Sequence, residues 1–294
     1  MCATFAETEI ISLLAEGEQP SDIAASVHRS VSARTLGLVS QVGRAAPVVM
    51  TGGVAHSRAA VHFLSEALRM TERAELVACA DPSAEAAQTA LAQCGYATAY
   101  ASAAEMLSTA ELDAVIIATI HDQLQPMAME AVAAGKHVFV EKPMALCAAD
   151  GWTLVEAAAA ADVRLMVGYT LRFMPDRMLM KQLIGRGLVG DITHVSTGQC
   201  IGPVGGWLND PAHGGGPMFY IGSHALDCAM WMADAAPLRV FADVHRPDPR
   251  GCEQSIDAVI SCEGGFSIHL CTSYRVGCRY GWLDVMGTEG RLRA

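Results

Sequence analysis

Short apolar runs recur along the chain from residue 47 onward. Residues 47–51 (PVVMT), 75–80 (ELVACA), 114–119 (AVIIAT), 137–141 (HVFVE) and 164–169 (RLMVGY) are rich in β-formers. Alanine-rich helical stretches, two of them ending at Gly95 and Gly135, lie between these runs. Strands that are apolar throughout and spaced by helices predict a parallel sheet covered on both faces. Right-handed crossovers then give a doubly wound, Rossmann-like α/β domain whose ligand lies at the carboxyl ends of the strands. Ahead of the first strand, residues 7–16 and 22–42 read as amphipathic helices, the first stopped by Gly17 and the second running from the cap Ser21 to Gly43. After it, Gly52-Gly53 makes a turn, and Ser57 caps a helix that reaches about Leu68.

Beyond residue 190 the pattern changes. Strand-like stretches at 192–197, 239–245, 258–262, 266–274 and 282–286 follow one another, with one clear helix at 223–232. This predicts an α+β domain built on a mainly antiparallel sheet. The expected organisation is a helical extension (1–45), a Rossmann-like dinucleotide-binding domain (46–170) and an α+β domain (171–294).

Composition narrows the class. With 52% hydrophobic and 17% charged residues the chain reads as globular, and a net charge of -11 with no basic run excludes a nucleic-acid partner. No apolar run approaches the roughly 20 residues of a membrane span, and Glu7 and Glu9 stand where a signal peptide carries positive charge, so a cytoplasmic protein is expected. The ten cysteines are scattered, with no C-x-x-C pair, so neither a metal site nor a disulfide framework is signalled.

The strongest local signal is the strand 138–140 running into Glu141-Lys142-Pro143 at the ligand crevice. Glu141 and Lys142 read either as a surface ion pair or as chemistry: a partly desolvated lysine holds a substrate oxygen beside a nicotinamide. Asp81 ends the second strand, where a carboxylate accepts both ribose hydroxyls and repels a 2'-phosphate, favouring NAD over NADP; the alternative is a turn-starting Asp-Pro. Thr119 and His121 follow the 114–119 strand, in reach of a cofactor or as ordinary loop residues. The glycine turn, Met50-Thr51-Gly52-Gly53-Val54-Ala55, carries Met50 in place of a first glycine, and Asp81 lies 29 positions beyond Gly52, further than the about 20 of the dinucleotide fingerprint.

Taken together, Ala80-Asp81-Pro82, Glu141-Lys142-Pro143, Gly168-Tyr169, Gly214-Gly215-Gly216 and Gly222-Ser223-His224 with Asp227 resemble the Gfo/Idh/MocA oxidoreductase family over about residues 72–294. The resemblance implies a nicotinamide-dependent dehydrogenase acting on a sugar, polyol or related carbinol, a small-molecule substrate. It makes Lys142 and His224 the catalytic groups, His224 as base for the hydroxyl proton and Lys142 as partner of the developing alkoxide. Tyr220 stands where the family commonly has an aspartate. Asp227 either orients the imidazole or caps its helix. Arg172 falls where the family often has a basic residue near cofactor or substrate, or is a solvated arginine, and Trp207 lines the sugar site or packs. The family's second-domain sheet often forms subunit contacts, so a homo-oligomer through that sheet is expected.

A second resemblance covers residues 1–68. The stretch CATFAETEIISLLAEGEQPSDIAASVHRSV and the later PVVMTGGVAHSRAAVHFLSEAL are similar to the carboxyl-terminal part of the BadF/BadG/BcrA/BcrD ATPases, activators of 2-hydroxyacyl-CoA dehydratases. The chain thus reads as a chimera joined near residues 69–73, with the borrowed Gly-Gly turn substituting for the usual first βα unit, and as carboxyl-terminally short for its family. Two further readings stay open: a catalytically inactive chimeric relative, and a remnant ATP-dependent activator.

Overall fold

The computed structural model describes residues 47–51 and 75–294, Gly95 excepted. The helices expected at 7–16 and 22–42, the turn at Gly52-Gly53 with Ala55, and the helix after Ser57 lie outside the described residues. Two compact units divide between Gly168 and Tyr169.

The first unit is a six-stranded parallel sheet. Its strands are β1 (Pro47–Thr51), β2 (Glu75–Ala80), β3 (Thr98–Tyr100), β4 (Ala114–Ile117), β5 (His137–Val140) and β6 (Leu165–Val167), in the order β3-β2-β1-β4-β5-β6. This is the doubly wound order of dinucleotide-binding sheets, with its topological switch between β1 and β4, where β1 pairs in parallel with both β2 and β4. Four helices connect the described strands: α1 (Ala84–Cys94), α2 (Ala103–Thr109), α3 (His121–Ala133) and α4 (Ala148–Ala160). Val115, Ile116 and Ile117 are all buried, as are Val138, Phe139 and Val140, which is why β4 and β5 are apolar on both parities. One core gathers Met106, Leu124, Ala128, Val138, Val140 and Leu154 on these elements.

The short β3 has no counterpart in the sequence reading. Thr-Ala-Tyr carries no alternation of its own, and β3 exists because β2 offers an edge to pair with. The helix after it is capped locally: Ser102 accepts the Glu105 amide at 3.2 Å, and a Ser-x-x-Glu spacing is that of a capping box.

The second unit is α+β. Helix α5 (Pro175–Gly185) precedes β7 (Ile192–Cys200); helix α6 (Ser223–Ala233) precedes β8 (Pro237–His245), β9 (Ser255–Cys262), β10 (Ser267–Ser273), β11 (Tyr280–Gly287) and β12 (Arg291–Arg293). The sheet order is β12-β11-β7-β10-β9-β8, antiparallel except for the parallel pair of β7 with β10. Helix α6 buries Ala225, Cys228, Ala229 and Met232, the i, i+3, i+4, i+7 stripe of an amphipathic helix. Cys228, Ala229 and Met232 join Val195, Ile260, Ile268, Leu283 and Val285 in one core, and Ala225 packs with Ala258 and Leu270, so alternate strand residues face the helix. The opposite face carries His194, Ser196, His269, Cys271, Asp257 and Trp282 by the same alternation.

Candidate functional site

In the first unit the chemistry collects at the carboxyl ends of the strands. Asp81 follows β2 and is only 3% exposed. Its Oδ1 accepts the Ser83 amide at 2.8 Å, an Asx turn, while its own amide donates to the Tyr100 carbonyl. The turn-starting role and the placement at the strand end therefore coexist in one residue. Thr119 is half-buried in the loop after β4, and His121 is buried at the first position of α3, where the helix presents its unpaired amides.

The β5 ladder extends one residue beyond the strand, with the Glu141 amide donating to Ile117 and the Gly168 amide to Val140. These bonds fix the backbone from which Glu141 and Lys142 project. Lys142 is buried, at 7% exposure, and is followed by a cis peptide to Pro143. The Glu141 carboxylate accepts the Lys142 amide at 3.2 Å, and burial raises its pKa against the lowering effect of Lys142. Gly168 explains the glycine of the Gly168-Tyr169 pair: a Cβ there would sit 3.3 Å from all three carboxylate atoms of Glu141.

In the second unit a 3-10 turn at Thr170–Phe173 carries Arg172 to Asp227 on α6. The guanidinium donates through Nε at 2.8 Å and through a terminal nitrogen at 2.5 Å, one bond to each carboxylate oxygen. It also lies 6.0 Å from the ring centroids of both Tyr169 and Trp231. Arg172 is thus clamped, although its side chain stays 40% exposed, and Asp227 commits both oxygens to it. Burial raises the Asp227 pKa and Arg172 pulls it back; burial, then the neighbouring Asp227 charge, push the Tyr169 phenol upward.

His224 stands in the first turn of α6, its ring edge-on to Tyr169 with centroids 6.3 Å apart. A π-helical turn, Met218–Gly222, leads into this helix and carries Tyr220, whose amide donates to Gly216. Gly216 holds φ at +109°, and a Cβ there would collide with the Glu253 carboxylate, so only glycine fits. Glu253, 8% exposed, accepts the Met218 amide at 3.3 Å and pairs with Arg246 at 3.7 Å. Tyr274, 1% exposed, places its ring 6.4 Å from that of Tyr220. Trp207 lies half-buried on a separate 3-10 turn, Gly206–Asn209.

The structure therefore groups Asp81, Thr119, His121, Glu141 and Lys142 at one end of the first sheet. In the second unit it groups Tyr169, Arg172, His224 and Asp227. Glu253 and Tyr274 escaped the sequence reading because each lies within an ordinary strand-and-loop context; only the fold brings them to the turn that bears Tyr220.

Three family models match. One, described as an oxidoreductase family with an NAD-binding Rossmann fold, covers residues 48–169; another, the GFO/IDH/MocA C-terminal domain, covers residues 178–293. The chain belongs to the GFO/IDH/MocA oxidoreductase family. A third model, the BadF/BadG/BcrA/BcrD ATPase family, matches residues 1–92. Both resemblances read from the motifs are borne out, and they overlap on β1 and β2.

Among relatives of this GFO/IDH/MocA chain, an uncharacterized oxidoreductase of Synechocystis sp. is 28% identical over 67% of this chain and 58% of its own length. A 1,5-anhydro-D-fructose reductase of Ensifer adhaerens is 26% identical over 82% of this chain and 74% of its own. The (R)-2-hydroxyglutaryl-CoA dehydratase activating ATPase of Acidaminococcus fermentans is 48% identical over 67 residues, 23% of this chain and 26% of its own. The crystal structure of GenD2 from gentamicin A biosynthesis in complex with NAD superposes with a TM-score of 0.77 at 25% identity, covering 86% of this chain and 73% of that one. The chain thus spans between about half and three quarters of the length of these oxidoreductase relatives. Among the described residues, no helix is long and apolar enough to cross a membrane.

Proposed function

We propose that the chain is an NAD-dependent dehydrogenase that moves a hydride between the nicotinamide and a carbinol carbon of a sugar, polyol or related small molecule. The observation that carries the reading is Lys142, a buried lysine at the carboxyl end of β5 in a sheet of dinucleotide-binding order. The residues present fit the cofactor. Asp81 ends β2 as a buried carboxylate suited to ribose hydroxyls and hostile to the 2'-phosphate of NADP, and Gly52, Gly53 and Ala55, which lie outside the described residues, are assigned to the pyrophosphate from the sequence. Thr119 and His121 flank the start of α3 on the same side, and Glu141 steadies the Lys142 backbone.

When bound, the nicotinamide supplies the hydride acceptor. The chain's part is acid-base and positional. His224 takes the hydroxyl proton, and Lys142 holds the oxygen as it becomes an alkoxide. Tyr220 is a phenol donor where relatives carry a carboxylate. Arg172 and Asp227 form a rigid pair that fixes the helix bearing His224, and Trp207 offers a flat apolar wall to a sugar ring. The reductase name of the Ensifer relative favours the same substrate class.

We assign residues 46–170 to the cofactor and 171–294 to substrate and association. A homo-oligomer through the second sheet would use its edge strand β8, on which Leu238, Val240 and Phe241 are 62%, 68% and 73% exposed.

Calorimetric titration with NADH, with NADPH and ATP as controls, tests the reading. The expected result is saturable binding of NADH tighter than of NADPH, retained in Lys142→Ala while turnover falls by about 10²- to 10⁴-fold. One observation favours a second reading, the inactive chimera: the ATPase-family match runs through β1 into α1. A folded protein that ignores NADH would establish it, and one that takes ATP instead would point to the activator remnant.

A further inference from the structure

The face of the second-unit sheet turned away from α6 carries exposed apolar side chains among its polar ones. Phe241 on β8 stands directly opposite Val259 on β9, and Val259 opposite His269 on β10; all three are exposed. Tyr280 and Trp282 on β11 stack on the same face with ring centroids 5.4 Å apart.

Two imidazoles occupy the middle of this face. The parallel register sets His269 opposite Ser196, so His194 and His269 are diagonal neighbours on the two central strands, β7 and β10. Their rings meet edge to face with centroids 4.4 Å apart. Charged groups stand to either side of the pair. Toward one edge, on β11 and β12, are Asp284, Arg291 and Arg293, with Arg291 tied to Asp284. Toward the other, on β8 and β9, are Arg239, Asp243 and Asp257, the two carboxylates directly opposite each other. Burial and the neighbouring His269 lower the pKa of His194, against the raising effect of Asp284. His194 thus holds a proton less readily than an isolated imidazole does.

The charges are laid out for a second copy of the same face. The β12 edge carries two arginines against one carboxylate, and the β8 side two carboxylates against one arginine. A copy turned over about a two-fold axis that runs along the strands between β7 and β10 lays each edge on its complement and brings the two imidazole pairs together at the centre.

We propose that a second copy of the chain covers this face at neutral pH and that protonation of the His194–His269 pair releases it, making self-association proton-gated. The gate rests on the reading that the second sheet is the association surface. Neutral rings pack in a closed interface, whereas an imidazolium there loses its water and stands beside its like. The associated state therefore binds fewer protons than the separate subunits do. Association is strongest above the ordinary imidazole value of about 6.5 and weakens as pH falls below it. Carboxylates as a class titrate near about 4, so a window that stays above about pH 5 reads the imidazoles.

Sedimentation velocity of the full-length protein over a dilution series, at about pH 7.5 and about pH 5.5, tests the gate. The expected result is a monomer–dimer equilibrium whose dissociation constant rises roughly tenfold or more on acidification, since one excluded imidazole alone contributes about tenfold per pH unit below its pKa. The double variant His194→Gln, His269→Gln should dimerise with the same constant at both pH values. Calorimetry of wild-type dissociation in buffers of different ionisation heat counts the protons taken up, and an uptake of zero overturns the gate even if the double variant does not fold. A dimer equally tight at both pH values would also overturn it while leaving the association reading standing. A monomer at every pH and concentration would remove that reading and the gate together. A pH dependence that persists in the double variant would assign the protons to other groups and refute the proposal.

Discussion

Removing Arg172 and removing the charge of Asp227 should have unequal costs, although each breaks the same ion pair. The side chain of Arg172 is 40% exposed and that of Asp227 only 10%. Once its partner is neutral, the guanidinium turns to water, and its contacts with Tyr169 and Trp231 survive. Asp227→Asn should therefore cost no more than about 1 kcal/mol, the range of exposed pairs. Once its partner is gone, the carboxylate stays buried without a cation. A fully buried orphan costs about 3–5 kcal/mol, and discounting for residual exposure gives about 2–3 kcal/mol for Arg172→Met. For a domain of this size that is a fall of roughly 5–10 °C in midpoint, against about 3 °C for Asp227→Asn.

The two variants also differ in their response to pH. Burial already raises the Asp227 pKa above 3.8, and Arg172 is the group that pulls it back. In Arg172→Met the folded pKa rises further. A carboxyl whose folded pKa exceeds its unfolded value destabilises the protein above the folded pKa, and the penalty disappears as pH falls through that value toward 3.8. The deficit of Arg172→Met should shrink on acidification, and that of Asp227→Asn, which has no proton to gain, should not. Urea titrations of wild type, both single variants and the double variant at neutral and mildly acid pH measure this. Equal losses in the two single variants, or a deficit of Arg172→Met that stays constant with pH, would refute the reasoning.

Other consequences follow from the strand ends. Gly168→Ala brings a methyl to 3.3 Å from the Glu141 carboxylate, and the resulting overpacking should outweigh the entropic gain of losing a glycine, for a net loss of about 1 kcal/mol by thermal unfolding; a gain would show the carboxylate to be free to move. Asp81→Asn keeps the bond from the Ser83 amide but removes the charge that repels a 2'-phosphate, so the ratio of NADPH to NADH affinity should rise at least tenfold in a fluorescence titration, and an unchanged ratio would place cofactor selection elsewhere.

Among the described residues, the local sequence carried the strands of the first unit apart from β3. Strands β2, β4 and β5 are legible because a parallel sheet covered on both faces demands apolar side chains at every position, and no amphipathic helix shows that pattern. Glu141-Lys142-Pro143 stood out because charged groups ending an apolar strand are costly without use, whereas Gly222-Ser223-His224 was singled out only by its resemblance to the family pattern. Tertiary structure decided the partners. The sequence left Arg172 between solvent, cofactor and substrate, and Asp227 between a cap and an orienting group; pairing them needed the turn after β6 to meet α6, 55 residues later. Likewise Thr98–Tyr100 became a strand only beside β2, and His194 met His269 only through the parallel register of β7 with β10. Periodicity records which face of an element is buried, but which elements meet is fixed by sheet order, and sheet order is a property of the whole fold.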